Sequence, residues 1–204
     1  MPSTPLLIVI SAPSGGGKTT LCNQLLAKHS NITRAITCTT RAPRAGERDR
    51  IDYHFLERES FLNRIKRGEF LEHASVYENF YGSLKSEVME KLAANSHVLL
   101  NIDVQGAAAI RQAALATPEL GGHLLSVFLT PPSITELEER LKKRGSETPE
   151  SFNGRLKKAV AEIAEWQKFD YLIVSTTIAE DLRRMEVVIE AELMRRDRVV
   201  APVF

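Results

Sequence analysis

The segment Ala12-Pro13-Ser14-Gly15-Gly16-Gly17-Lys18-Thr19 most constrains what this chain can fold into. It lies between the apolar run Leu6 to Ile10, which reads as a buried strand, and a helical stretch from Lys18 to Lys28. A glycine-rich turn in that setting lets several backbone N–H groups converge on one anion at the positive end of a helix dipole. Lys18 adds a full charge, and the Thr19 hydroxyl can ligate Mg²⁺. Ala12, Pro13, Ser14, Gly15, Gly16, Gly17, Lys18, Thr19 and the following Thr20 are therefore the candidate phosphate-binding residues. Ala12 stands where the Gly-x4-Gly-Lys-Ser/Thr pattern has its first glycine, and alanine is compatible with that place if its φ is negative.

A loop of this kind needs a parallel sheet around it. Three further apolar runs, Val98 to Ile102, Leu124 to Leu129 and Tyr171 to Val174, read as buried strands separated by helical stretches. A fifth strand is expected near Ala35 to Thr37. Helices are expected from about Gly106 to Ala116, from near Ser133 after Pro131-Pro132, and from Ile178 to Arg195, with Ser133 and Glu136 spaced as a capping box. Strands followed by helices imply βα crossovers and a three-layer α/β architecture with a central, mostly parallel sheet. The stretch Thr39 to Ala94 breaks this rhythm with an arginine-rich loop, a strand at Tyr53 to Leu56, a helix at Glu59 to Arg67 and an aromatic stretch at Tyr77 to Tyr81. It reads as an inserted subdomain. A second polar insert, Lys142 to Asn153, lies between two basic helices and reads as a mobile lid.

With 204 residues, 43% of them apolar, the chain can build one sizeable core. Its formal net charge of +1 argues against a surface dedicated to nucleic acid or an anionic membrane. The apolar runs are too short to span a bilayer, and Met1-Pro2-Ser3-Thr4-Pro5 has no basic export region, so a cytoplasmic location is expected. Cys22 and Cys38 could form at most one bridge and read as two reduced, partly buried thiols. The five histidines show no ligand spacing, and no structural metal is expected.

His97 to Asp103 is an apolar strand ending in an acid, which suits a Mg²⁺-side contact made directly or through water. Asn101, two residues earlier, would share a face with Asp103 on an extended strand. Both could instead end a strand or cap the helix beginning near Gln105. In the insert, Thr37-Cys38-Thr39-Thr40-Arg41-Ala42-Pro43-Arg44-Ala45-Gly46-Glu47 puts two arginines on a proline-stiffened loop, and arginine forks fit phosphate oxygens. Asp52-Tyr53-His54-Phe55, Phe70-Leu71-Glu72, Tyr81-Gly82-Ser83, Ile102-Asp103-Val104-Gln105-Gly106 and Pro131-Pro132-Ser133 follow in that order.

This ordered set resembles the guanylate kinase family over nearly the whole chain. The resemblance implies a P-loop kinase with core 1–36, 95–139 and 156–204, a GMP-binding insert 37–94 and a lid 140–155. It implies ATP on residues 12–20 with Mg²⁺ at Thr19, and ATP-dependent phosphorylation of GMP, and of dGMP. Arg41, Arg44, Tyr53 and Tyr81 would hold the GMP phosphate, and Thr37, Glu72, Ser83 and Asp103 would surround the guanine. Lys18 and Arg41, with the lid arginines Arg140, Arg144 and Arg155, would carry the transfer. Guanine presents two donors, N1–H and the 2-amino group, that one carboxylate can accept, whereas adenine would leave that carboxylate unpaired.

Taken singly, Tyr53 and Tyr81 also read as core aromatics, Glu72 as a surface carboxylate, and the lid arginines as a solvated helix face. Glu136 and Arg140, Glu138 and Lys142, and Glu139 and Lys143 are all spaced as helical ion pairs. Asn101 stands where the family has Asp, and Val174-Ser175-Thr176-Thr177 where relatives carry an Asn-Asp pair. Two other readings stay open on the sequence: a monophosphate kinase for another base, and a non-catalytic guanylate-kinase-like binding module. Neither monomer nor homo-oligomer is preferred.

Overall fold

The computed structural model describes residues 4–76, 78–142 and 149–199. Its centre is β1 (Leu7–Ser11), and the reason lies in its side chains. Successive residues of a strand point to opposite faces, and here Ile8 and Ile10 enter one hydrophobic cluster while Leu7 and Val9 enter another. A strand buried on both faces must be apolar throughout, which is why Leu6 to Ile10 is an unbroken run. The first cluster packs the sheet against α1 (Lys18–Lys28) and α8 (Ile178–Leu193). The second packs it against α3 (Lys85–Ala93) and α4 (Val104–Ala116).

Around β1 the strands run in the order β2-β7-β1-β8-β9, formed by β2 (Ile32–Arg34), β7 (His97–Asn101), β8 (Leu124–Thr130) and β9 (Tyr171–Val174). Every pairing in this sheet is parallel. The expected fifth strand is present but lies earlier than Ala35 to Thr37. Buried Ile32 anchors β2 opposite His97, and beyond Ala35 the chain leaves for a second sheet. A short helix, α5 (Pro118–Gly121), leads into β8.

The second sheet has the order β4-β3-β6-β5, from β3 (Cys38–Thr39), β4 (His54–Phe55), β5 (Phe70–Val76) and β6 (Asn79–Leu84). With α2 (Arg58–Lys66) it closes a small aromatic core in which Phe61 stacks on both Phe70 and Phe80. Tyr77 lies outside the described residues. The strand expected at Tyr53 to Leu56 and the helix expected at Glu59 to Arg67 match β4 and α2 to within two residues, whereas β5, β6 and α3 are not among the expected elements. The cause in β5 is a bulge: Phe70 pairs with Leu84 and Glu72 with Ser83, which leaves Leu71 as the extra residue and breaks the alternation a strand normally shows.

Over the phosphate loop stand α6 (Ile134–Lys142) and α7 (Pro149–Ile163), packed through Leu137, Leu141 and Ala159; a 3-10 turn at Ala164–Lys168 follows. Since α7 starts at Pro149, helix occupies the last part of the segment expected to be a polar insert. Residues 143–148, with Arg144 and Lys143, lie outside the described residues. At the start of α6 the Ser133 hydroxyl accepts from the Glu136 N–H at 3.1 Å, but the Glu136 carboxylate pairs with Arg140, so only half of the capping box forms. Among the described residues no helix is long and apolar enough to cross a membrane. Cys22 and Cys38 are free and buried, and burial pushes both thiols up to about 12.

Candidate active site

The phosphate loop has the backbone that an anion site requires. Gly15 and Gly17 have φ of 85° and 94°, in the left-handed region that glycine enters without steric cost. At Gly15 an added Cβ would also sit 3.1 Å from Leu141, so α6 rests directly on the loop. Ala12 is not among the residues of positive φ, and its methyl is buried in the core, so alanine serves there. Gly17 caps α1 without a side-chain hydrogen bond, and the first turn carries no acid. The N–H groups and partial positive charge of that helix end face the cleft without an acid from the helix itself.

Lys18 is half-buried, and its ammonium donates to the Ile102 carbonyl at 2.8 Å. Burial lowers its pKa, and the nearby charges of Cys22, Asp103 and Glu162 oppose that fall. A thiol held near 12 is neutral at pH 7, so the two carboxylates provide the opposition there. Thr19 and Thr20 are exposed on the first turn of α1.

Asp103 caps α4, its Oδ1 accepting from the Gly106 N–H at 2.9 Å, and it also lines the phosphate cleft. The capping and functional readings of this residue therefore coexist in one side chain. It does not share a strand face with Asn101, because β7 ends at Asn101 and the two residues line different clefts with Thr19 common to both.

On the second sheet, Glu72 is buried and its Oε1 accepts from the Ser83 hydroxyl at 2.7 Å. The two are direct cross-strand partners, and the bulge makes them so. Because of it, Leu71 can join the core cluster of α4 while its neighbour Glu72 also turns to that helix. A Cβ on Gly106 would lie 3.1 Å from Glu72 Oε2, tighter than an ordinary contact, so any side chain there would push the carboxylate back by a few tenths of an ångström. Burial raises the Glu72 pKa to about 6; the Ser83 hydrogen bond opposes this and the charge of Asp103 adds to it.

Nearby, Arg41 is held by Glu47 through two bonds of 2.8 and 2.9 Å, and its guanidinium lies 5.5 Å from the centre of the Tyr53 ring. Burial is the largest single influence on the Arg41 pKa and lowers it, but the hydrogen bonds to Glu47 and Tyr81 and their charges together outweigh it and the net shift is upward. The rings of Tyr53 and Tyr81 meet edge to face at 6.3 Å. Both tyrosines are half-buried and face arginine rather than the aromatic core. Arg44 is exposed, with its backbone N–H bonded to Glu47 Oε2 at 2.7 Å. Thr37 stands just before β3, its carbonyl accepting from the His54 N–H.

A further cleft of about 280 Å³ opens on the other side of the loop, lined by Gly15, Gly17, Thr20, Arg140, Ser175 and Asp181 among others. Arg140 Nη1 donates to Ser175 Oγ at 3.3 Å, and the Ser175 hydroxyl donates to buried Asp181 at 2.7 Å. Arg155 is half-buried on α7.

The matching pattern of similarity to known proteins is broad. The profile of the family described as guanylate kinase matches residues 4–192. A guanylate kinase of Clostridium perfringens (strain 13 / Type A) is 44% identical over 194 residues, covering 95% of this chain and 87% of that protein. The chain belongs to the guanylate kinase family. A guanylate kinase of Ruegeria sp. (strain TM1040) is 42% identical over 191 residues, covering 94% of this chain and 86% of the relative. The crystal structure of guanylate kinase from Anaplasma phagocytophilum superimposes with a TM-score of 0.75 at 35% identity, covering 96% of this chain and 90% of that one.

As a guanylate kinase family member the chain thus shows the expected P-loop α/β fold. Polar side chains near these clefts that the sequence analysis does not assign include Arg34, Glu47, Lys158, Glu162 and Asp181. Glu47 ends the Thr-Thr-Arg-x-Pro-Arg-x-Gly-Glu run and could have been found there. The others belong to none of the quoted motifs.

Proposed function

We propose that this chain transfers the γ-phosphoryl group of ATP to GMP, and to dGMP, giving ADP and the diphosphate by direct in-line attack. The observation that carries this reading is the buried Glu72 and Ser83 pair, set against Gly106. A carboxylate is placed in an apolar wall only at a cost, and a ligand with two adjacent N–H donors repays it. Guanine is such a ligand. Adenine, with a bare N1, would leave Glu72 buried and unpaired, a penalty on the order of 10⁴-fold in discrimination. Thr37 would add a hydroxyl toward O6, and Asp103 would close the guanine side.

Arg41, Arg44, Tyr53 and Tyr81 would form the phosphate end, where Glu47 holds the Arg41 guanidinium beside the Tyr53 ring. The GMP phosphate has a second pKa of about 6, so at neutral pH it is mostly a nucleophilic dianion and needs no general base. The barrier is the approach of two polyanions, which Lys18, Arg41, Arg140, Arg144 and Arg155 would lower by cation density. ATP would lie on residues 12–20, with its base toward the cleft at Ser175.

The residues present fit Mg²⁺ as a passenger of the nucleotide. Thr19 and Asp103 are hard oxygen donors at the phosphate cleft, and among the described residues no group of three or more His, Cys, Asp or Glu could hold a metal alone. When bound with the nucleotide, the ion would supply positive charge against the charge that develops on the transferring phosphoryl group. The division into a core, a GMP insert over 37–94 and a lid over 140–155 belongs to the same proposal.

An ADP-release assay with GMP, AMP, UMP, CMP and dTMP as acceptors tests it. GMP is expected to turn over far faster than the rest. Turnover with none of them would refute the transferase, and a preference for AMP would refute the guanine site.

A further inference from the structure

Glu162 lies in the last turn of α7, far in sequence from the phosphate loop, yet its Oε2 accepts from the Ser14 N–H at 3.2 Å. The residue is only 8% exposed, and its Oε1 stands 3.8 Å from Lys158 Nζ. Glu162, Lys158, Asp103 and the loop from Ala12 to Thr19 line one cleft of about 220 Å³. Its charge also acts on Lys18, favouring the ammonium form.

A carboxylate oxygen and a phosphate oxygen make the same demand on a backbone N–H. The surroundings of Glu162 are those that make the loop an anion site: aligned N–H groups, an uncapped helix start and a lysine. Bringing a polyphosphate into this cleft sets like charges a few ångströms apart, where their repulsion is poorly screened. The two anions therefore compete for one site.

We infer that Glu162 is an anionic placeholder on the phosphate loop, which gives way to the polyphosphate of the nucleotide and thereby sets the loop's affinity for it. The inference rests on the reading of residues 12–20 as the ATP site. Arg155 stands seven residues earlier, two turns along the same face of α7, so a shift of the helix that frees Glu162 also moves Arg155. Glu162 is in this sense a positioning residue, acting through Ser14 and α7.

Glu162→Gln separates the charge from the hydrogen bond, because the amide oxygen can still accept from Ser14. Calorimetric titration of the whole chain with ADP and with inorganic pyrophosphate should give about 5–10-fold tighter binding for the variant than for wild type, with a lower KM for ATP and an unraised kcat. A purely structural strut would give unchanged or weaker binding, and that result in a variant with native-like melting overturns the inference. If neither protein binds ADP or pyrophosphate, the phosphate-loop reading falls with it. Should the variant not fold, the ¹³C carboxyl shift of Glu162 in wild type decides: movement on saturation with pyrophosphate supports displacement, and an unmoved signal overturns it.

Discussion

At the scale of single residues, Glu72 holds the tension between stability and recognition. Its folded pKa of about 6 lies above the reference value of 4.5, so between those pH values the folded chain retains a proton that the unfolded chain has lost. The contribution of Glu72 to stability therefore falls as pH rises through this window and stays low above it. The difference amounts to about 2 kcal/mol. Glu72→Gln keeps the shape and an acceptor for Ser83, so it should raise the free energy of unfolding at pH 7.5 by up to that amount and give little at pH 4.5. Urea denaturation at the two pH values checks this, and a less stable variant at pH 7.5 would refute it. In the acceptor assay the same variant should lose its preference for GMP, and any remaining fall in rate below pH 6 belongs to the phosphate of GMP itself. Arg50 presents a simpler case. Its φ of 62° places a long side chain in the left-handed region, and its nearest ion-pair contact is an exposed one with Asp49 at 3.8 Å. Arg50→Gly relieves that conformation at some cost in chain entropy, and a net gain of about 0.5–1 kcal/mol is expected in the same denaturation experiment.

At the scale of elements, α4 shows how one residue can serve two ends. Asp103 caps the helix through the Gly106 N–H and faces the phosphate cleft with its charge. Asparagine caps as well as aspartate does. Asp103→Asn should therefore melt within about 0.5 kcal/mol of wild type while turnover drops at least tenfold, whereas Asp103→Ala should lose about 1 kcal/mol of stability besides. Equal activity of Asp103→Asn and wild type would reduce Asp103 to a cap. The parallel core was legible in the sequence because strands buried on both faces are mostly apolar, and β1, β7 and β8 are such strands, with the buried Ser126 of β8 satisfied by Asp170. The phosphate loop was legible because its conformation demands glycine at fixed places. β5 was not, since its bulge removes the alternation by which a half-buried strand is known. The strand expected at Ala35 to Thr37 was misplaced because its position is fixed by pairing with β7, a partner more than 60 residues on in the chain and invisible to local pattern.

At the scale of the whole molecule, the candidate site joins residues that no local window contains. Ser14 and Glu162 are separated by 148 positions, and Lys18 rests on the carbonyl of Ile102. Short motifs placed Arg41, Tyr53, Tyr81, Glu72 and Ser83 because each sits in a run of distinctive order. Arg34, Glu162 and Asp181 act through partners brought by the fold, and a lone charge on a strand or helix carries no such mark. The proposed ATP and GMP regions lie on different sheets, so each ligand alone should stabilise the chain. A ligand present at 100 times its Kd adds about 2.7 kcal/mol. GMP and ADP should each raise the melting temperature, and AMP at equal concentration should raise it less than GMP. A thermal shift series with the three nucleotides measures this.

The extra residue in β5 has a consequence for how such a chain can change over time. Because Leu71 and Glu72 are adjacent and turn to the same helix, the packing of the core and, under the proposed function, the choice of base would be written in neighbouring codons on one irregular strand. Losing Leu71 would restore a regular ladder and leave Glu72 opposite Ser83, but it would take a leucine out of the cluster beneath α4. If Glu72 sets acceptor choice as proposed, that choice would be shielded from gradual drift. A new specificity would have to arrive by rewriting the strand and the helix opposite it together.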